Sequence, residues 1–137
     1  ACQKPENNAC VVDDDMQAVY PKLQASDRWV IASPVYWFSM SAQTKLFMDR
    51  CVAMFHETEE KNRLINKKIA IAMSYGDTDV FNSGCVNALR SFQDAYAYAG
   101  AKIAGMVYGS AEEPGEIKSN TILMKQAEEL GKKLVEG

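Results

Sequence analysis

The chain has no basic stripe and no block of five like charges. Its 15 Lys and Arg stand against 18 Asp and Glu, a net charge of −3. No nucleic-acid partner is expected from such a balance. Long apolar runs are missing too, so no segment is expected to span a membrane. The first residues, Ala-Cys-Gln-Lys-Pro-Glu, carry no apolar h-region. No secretory signal is read there, and the expectation is a cytoplasmic protein. There is one histidine, His56, beside Glu57 at the end of a helical pattern. It reads as a capping or surface residue rather than a general base. The sequence offers no Ser-His-Asp arrangement, no metal-ligand cluster and no G-x-G-x-x-G run. Internal repeats and low-complexity segments are also missing.

What is present fits an ordinary globular protein, with 47% apolar and 24% charged residues in 137. That length suits a single domain over residues 1–137. Of four cysteines, Cys51 and Cys85 fall in helical patterns and read as reduced, small apolar residues. Cys2 and Cys10 read as loop cysteines.

From Asp13 onward helices and strands alternate. Asp13-Asp-Asp15 supplies an N-cap for a helix carrying Met16, Val19, Tyr20 and Leu23, with a kink expected at Pro21. Trp29–Ala32 is a buried-strand run. A second helix begins near Met40 or Ser41 and shows Phe47, Cys51, Met54 and Phe55 on one face. Residues 56–67 read as a loop and Ile69–Met73 as a second strand. A helix over about 84–99 follows, stopped by Gly100. Ile103–Tyr108 is the third strand, and a last helix carries Leu123, Ala127, Leu130 and Leu134. The fold class is α/β, with a parallel sheet covered on both faces.

The most informative run is Ser33-Pro-Val-Tyr-Trp-Phe-Ser-Met40, leading into Phe47-Met-Asp-Arg50. A strand that ends in Ser-Pro and opens at a helix N-terminus makes a ligand crevice. Tyr36, Trp37 and Phe38 give it aromatic walls. Core or dimer contacts are the alternative, but three consecutive aromatics cannot all face one core. Ser74-Tyr75-Gly76 ends the neighbouring strand, and Gly76 permits close backbone approach. An ordinary strand-to-helix turn is the other reading. Asp77 and Asp79 read as solvating that turn.

These residues resemble the NADPH-dependent FMN reductases, a branch of the flavodoxin-like fold. The motif lies in Ser33-Pro-Val-Tyr36, Ser39-Met-Ser41 and Phe47-Met-Asp-Arg50, with Cys10 and Asp14-Asp-Met16 before the helix. Val107-Tyr-Gly109 matches a further strand-end loop. The resemblance implies a three-layer α-β-α flavodoxin-like fold that uses FMN, with NAD(P)H as co-substrate. It implies an oxidoreductase passing hydride to flavin, a quinone or another small-molecule acceptor. FMN would be held by Ser33, Pro34, Val35, Tyr36, Trp37, Phe38, Ser39 and Met40, and by Ser74, Tyr75 and Gly76. The helix after Ser39 would lend positive potential to the ring. No catalytic acid or base is named, because the cofactor carries the chemistry. A homodimer or homotetramer is implied.

One departure stands out. The family begins with a strand and a phosphate-cradling loop, and a leading β-α-β unit takes about 30 residues. The stretch before Asp13 is too short for one, so the expectation is an N-terminally incomplete domain with an open sheet edge. Two other readings remain. One is an iron–sulfur flavoprotein electron carrier: some flavoproteins similar to this family hold a four-iron cluster on cysteines before this helix. Cys2 and Cys10 match its last two positions only, and two thiolates cannot hold it. The other is a non-catalytic flavodoxin-like module. A receiver domain would need an Asp where Ser33 stands and a Lys near Gly109-Ser110.

Overall fold

The computed structural model describes residues 10–136. Cys2 lies outside them. The elements run α1 (Met16–Ala25), β1 (Arg28–Tyr36), β2 (Ser39–Met40), α2 (Ala42–Arg50), β3 (Lys68–Tyr75), α3 (Cys85–Tyr98), β4 (Lys102–Ser110) and α4 (Thr121–Glu136). Short 3-10 turns follow α2 at Cys51–Met54 and precede α4 at Glu116–Ser119.

Each helix starts and stops for a local reason. At α1 the Asp14 carboxylate accepts the Met16 N–H at 3.1 Å. Gln17 Nε2 reaches back to the carbonyls of Cys10 and Val12. The helix continues through Pro21, so the expected kink does not divide it. Lys67 closes its far end, donating to the Gln24 and Ser26 carbonyls at 3.1 and 2.7 Å. A cation there meets orphan carbonyls and the negative end of the helix dipole. α3 ends before Gly100, whose φ of 82° lets the chain turn away.

The sheet has the order β2-β1-β3-β4. β1, β3 and β4 are parallel, with Trp29 beside Ile69, Ile31 beside Ile71 and Ser33 beside Met73. Those side chains share one face with α1, α2 and α3. There Trp29 meets Phe47 and Tyr96 edge-on, and Phe92 stacks on Tyr96. Phe92 and Tyr96 are almost completely buried, each contributing about 1.5–3 kcal/mol of apolar transfer free energy. α4 covers the opposite face over β3 and β4. Arg28 Nε ties the start of β1 to the Leu134 carbonyl at 2.7 Å.

Two expectations need correction. The sheet is mixed rather than wholly parallel, because β2 pairs antiparallel with β1. And the chain does not leave the sheet at Ser33-Pro34; β1 runs on to Tyr36 and doubles back. The reversal is a two-residue turn at Trp37 and Phe38, with φ values of 49° and 66°. Positive φ at both central residues is the type I′ hairpin pattern, whose twist matches the flanking strands. Pro34 is accommodated because β1 is an edge strand over residues 28–34 among the described residues, where proline is tolerated.

On the α4 side, β1 remains uncovered. Val30 is 65% exposed. A cleft of about 390 Å³ opens between Ala32 and Pro34 of β1, Ala72 of β3, and Leu123 and Met124 of α4. Among the described residues no strand precedes α1. The chain is therefore a flavodoxin-like α/β fold whose outer edge at β1 is open among the described residues.

Candidate functional site

The carboxyl ends of β1 and β3 lie side by side, with Pro34 paired to Ser74. In open α/β sheets this is where ligands bind. The two groups of residues singled out in the sequence, 33–40 and 74–76, meet there.

Their roles divide. Ser33 is buried and occupied within the protein: its hydroxyl donates to the Pro34 carbonyl at 2.8 Å and accepts the Ser41 N–H at 3.0 Å. It locks the strand end to the start of α2. Met40 is buried, and Val35 packs on the core. Ser41 caps α2, accepting the Thr44 N–H at 3.3 Å. Tyr36, Trp37 and Phe38 are the exposed members, Trp37 at 93%. Trp37 and Phe38 stand edge to face, ring centres 5.9 Å apart.

The hairpin is held from behind by residues that sequence reading missed. Asn87 Nδ2 donates to the Phe38 carbonyl at 3.0 Å. Gly84, with φ of 75°, lies directly against the Phe38 backbone. The signal was a glycine just before α3, read only as a helix start.

Across the crevice, Ser74 and Tyr75 are half-buried and Gly76 is exposed. A Cβ on Gly76 would meet only the Ala111 carbonyl oxygen, at 3.9 Å. Packing within the protein does not require glycine there. The bare backbone leaves room for a flat group to approach, which is what a planar ring cofactor needs. The loop beyond is self-supporting. The Asp79 carboxylate accepts the Phe81 and Asn82 N–H groups at 2.7 and 3.0 Å, and these bonds hold it below the usual carboxylate range. Ser110 Oγ donates to the Asp77 carbonyl at 2.6 Å. His56 is far along the chain from the crevice, its Nδ1 accepting the Thr58 N–H at 3.1 Å.

A second cluster lies at the start of α1. The Arg50 guanidinium forks onto the Asp14 carboxylate, Nη2 to Oδ1 at 2.9 Å. The same Nη2 donates to Cys10 Sγ at 3.3 Å, and Tyr20 donates to the Arg50 carbonyl at 3.0 Å. The Cys10 thiol is brought down to about 7, first by the Val12 backbone N–H, then by Tyr20 and Arg50 against the effect of burial. Cys10 is thus a loop cysteine, as the sequence suggests, whose thiol is buried and polarised by its Arg50 contact. Cys51 and Cys85 are free and buried, and burial pushes both thiols up to about 11.

The NADPH-dependent FMN reductase family model matches residues 1–114. The chain belongs to this family. An iron-sulfur flavoprotein of Methanosarcina thermophila is 30% identical over 98% of this chain, and the chain spans 66% of that protein's length. Among solved structures, Trp repressor binding protein from Bacillus subtilis superposes with a TM-score of 0.74 at 24% identity, covering 87% of this chain and 73% of its own. General stress protein 14 from Treponema denticola, solved in complex with FMN, gives 0.67 at 22%, covering 88% and 74%. At those identities the two structures speak to the fold alone.

Proposed function

We propose that the chain forms the ring-side wall of an FMN site in an NAD(P)H-dependent oxidoreductase. The observation that carries this is Gly76, bare for no packing reason, two residues beyond Ser74 of β3, whose register partner Pro34 on β1 leads into the exposed aromatic hairpin. Family membership supports the same cofactor. The residues present fit the ring side. The backbone of 35–40 and 74–76 supplies hydrogen-bonding groups at the crevice, and Tyr36, Trp37 and Phe38 supply flat apolar cover. Ser33 acts behind them as a positioning residue. The α2 N-terminus adds a positive dipole end beside the hairpin.

Bound FMN would supply the hydride chemistry. This chain's share is to bind, orient and exclude water, so no side-chain nucleophile or general base is required. The acceptor would be a small molecule such as a flavin or quinone. The working form would be a homodimer or homotetramer. FMN titration followed by visible absorbance tests the reading, with Gly76→Val as the informative variant. Its side chain should block binding without unfolding the chain, since the position is open to solvent.

A second reading, the iron–sulfur flavoprotein, is favoured by the name of the Methanosarcina relative and by Cys10 in its Arg50 setting. The described residues do not make a cluster site: Cys51 and Cys85 are buried in the core and Cys10 stands without another described thiol. Iron and acid-labile sulfide analysis of the purified protein separates the two readings.

A further inference from the structure

β4 is the outer strand at the side of the sheet away from β1, and its free edge is unpaired among the described residues. The Ala111 N–H donates to the Tyr75 carbonyl at 2.8 Å. Alternation along the strand then turns Val107 and Gly109 toward β3. It leaves the N–H and C=O groups of Met106 and Tyr108 pointing outward. Native sheet edges are guarded by charge, proline or a bulge. Here residues 103–111 carry no charge and no proline. The register slips only between Ile103 and Gly105, so residues 105–110 pair regularly with β3 and stay open on the other side.

The flank of this edge is apolar as well. A groove of about 510 Å³ runs between β4 and α4, lined by Gly105, Met106, Val107 and Leu130. Tyr108 lines it too and is 40% exposed. Gly105 lies against Leu130, and Gly109 against Leu123. Val107, midway between the two glycines, is therefore level with residues 126–127 of α4. Lys125 and Glu129 flank that level. Both are exposed, and neither is in an ion pair among the described residues.

We propose that the β4 edge is the interface with a second copy of the chain, joined antiparallel about a two-fold axis at Val107. Met106 of each copy then pairs with Tyr108 of the other, so the outward N–H and C=O groups satisfy one another reciprocally. Gly105 stands opposite Gly109, and Val107 meets its own counterpart. The contact is isologous, and no charges meet along the paired strands. On α4, Lys125 of each copy comes level with Glu129 of the other, base against acid in both directions. The nine residues of β4 run for about 30 Å and the three layers are about 25 Å thick, a side face on the order of 750 Å². A standard interface takes about 800 Å² per partner. This surface lies at the opposite side of the sheet from β1 and does not rest on the flavin reading.

The test is sedimentation equilibrium of the full chain, with amide hydrogen exchange measured above and below the dissociation constant it yields. The chain should self-associate reversibly. The Met106 and Tyr108 amides should exchange more slowly in the associated state, while Val107 stays protected in both. Glu129→Lys should weaken association about tenfold at low salt, because the charge pair is lost at two symmetric places. Adding Lys125→Glu should restore it. Both positions are exposed on α4, so each variant keeps the fold. A monomer at every concentration would overturn the proposal. So would an affinity indifferent to Glu129→Lys, a double variant no tighter than Glu129→Lys alone, or Met106 and Tyr108 exchange that ignores association.

Discussion

A Cβ added to Gly84 would stand 2.5 Å from both the Cα and the Cβ of Phe38. The start of α3 and the tip of the β1–β2 hairpin are therefore in backbone contact, and the aromatic hairpin keeps its shape because α3 begins with glycine. Gly84 has a φ of 75° as well, so alanine there meets both a collision and an unfavourable backbone. Gly84→Ala should cost about 2 kcal/mol or more in urea unfolding. It should also weaken FMN binding, because the hairpin must move. Unchanged stability would show that the contact yields.

Phe38 sits at the second turn position with a φ of 66°, where glycine or asparagine is usual. Phe38→Gly relieves this strain, worth about 1 kcal/mol, and loses an exposed aromatic face. Stability should rise slightly while FMN affinity falls. Opposite signs in the two measurements would mark Phe38 as kept for the ligand; a parallel loss would mark it as packing.

The strands were legible because their side chains are dictated by burial: Trp29 and Ile31 against Ile69 and Ile71 leave no other placement. The hairpin was not. Two-residue turns announce themselves by Asn-Gly or Asp-Gly, and Trp37-Phe38 carries neither cue. Pro34 read as a strand terminator, yet an edge strand tolerates it. Residues 33–40 and 74–76 were correctly brought together as neighbouring strand ends, but Ser33 and Met40 turned out to face inward. The Cys10–Arg50 contact joins positions 40 apart in the chain. Only the shared motif hinted at it, and no local periodicity reports such a pair.

Cys10 gives a prediction in pH. Its thiol is lowered to about 7 in the folded chain, against about 8.5 for a free thiol. An acid whose folded value is depressed adds stability that is fully present above its unfolded value. That contribution fades as pH falls through about 7. Thermal stability should therefore rise between about pH 7 and 8.5 in the native chain, and the rise should shrink in Cys10→Ser. The rate of Cys10 alkylation should be half-maximal near pH 7, and Arg50→Gln should move that midpoint upward. An alkylation midpoint at the ordinary thiol value in the native chain would contradict the arrangement.

Lys67 is buried under Trp29, its Nζ 5.5 Å from the ring centre, and holds the end of α1. Lys67→Met preserves the packing and removes both hydrogen bonds. The Gln24 carbonyl loses its side-chain donor, at about 1–3 kcal/mol, while the Ser26 carbonyl keeps the Trp29 Nε1–H at 3.1 Å. Hydrogen exchange should quicken in the last turn of α1 before it does in α3. Uniform quickening would show that Lys67 supports the whole core instead.

The central claim is that the strand-end crevice takes a flavin ring. The visible spectrum of the chain after mixing with FMN and removing the excess tests it most directly, with Gly76→Val beside it. The account predicts flavin bands that stay with the native chain and are lost from Gly76→Val at unchanged circular dichroism. Flavin bands of equal strength in both would place the ring elsewhere and contradict it.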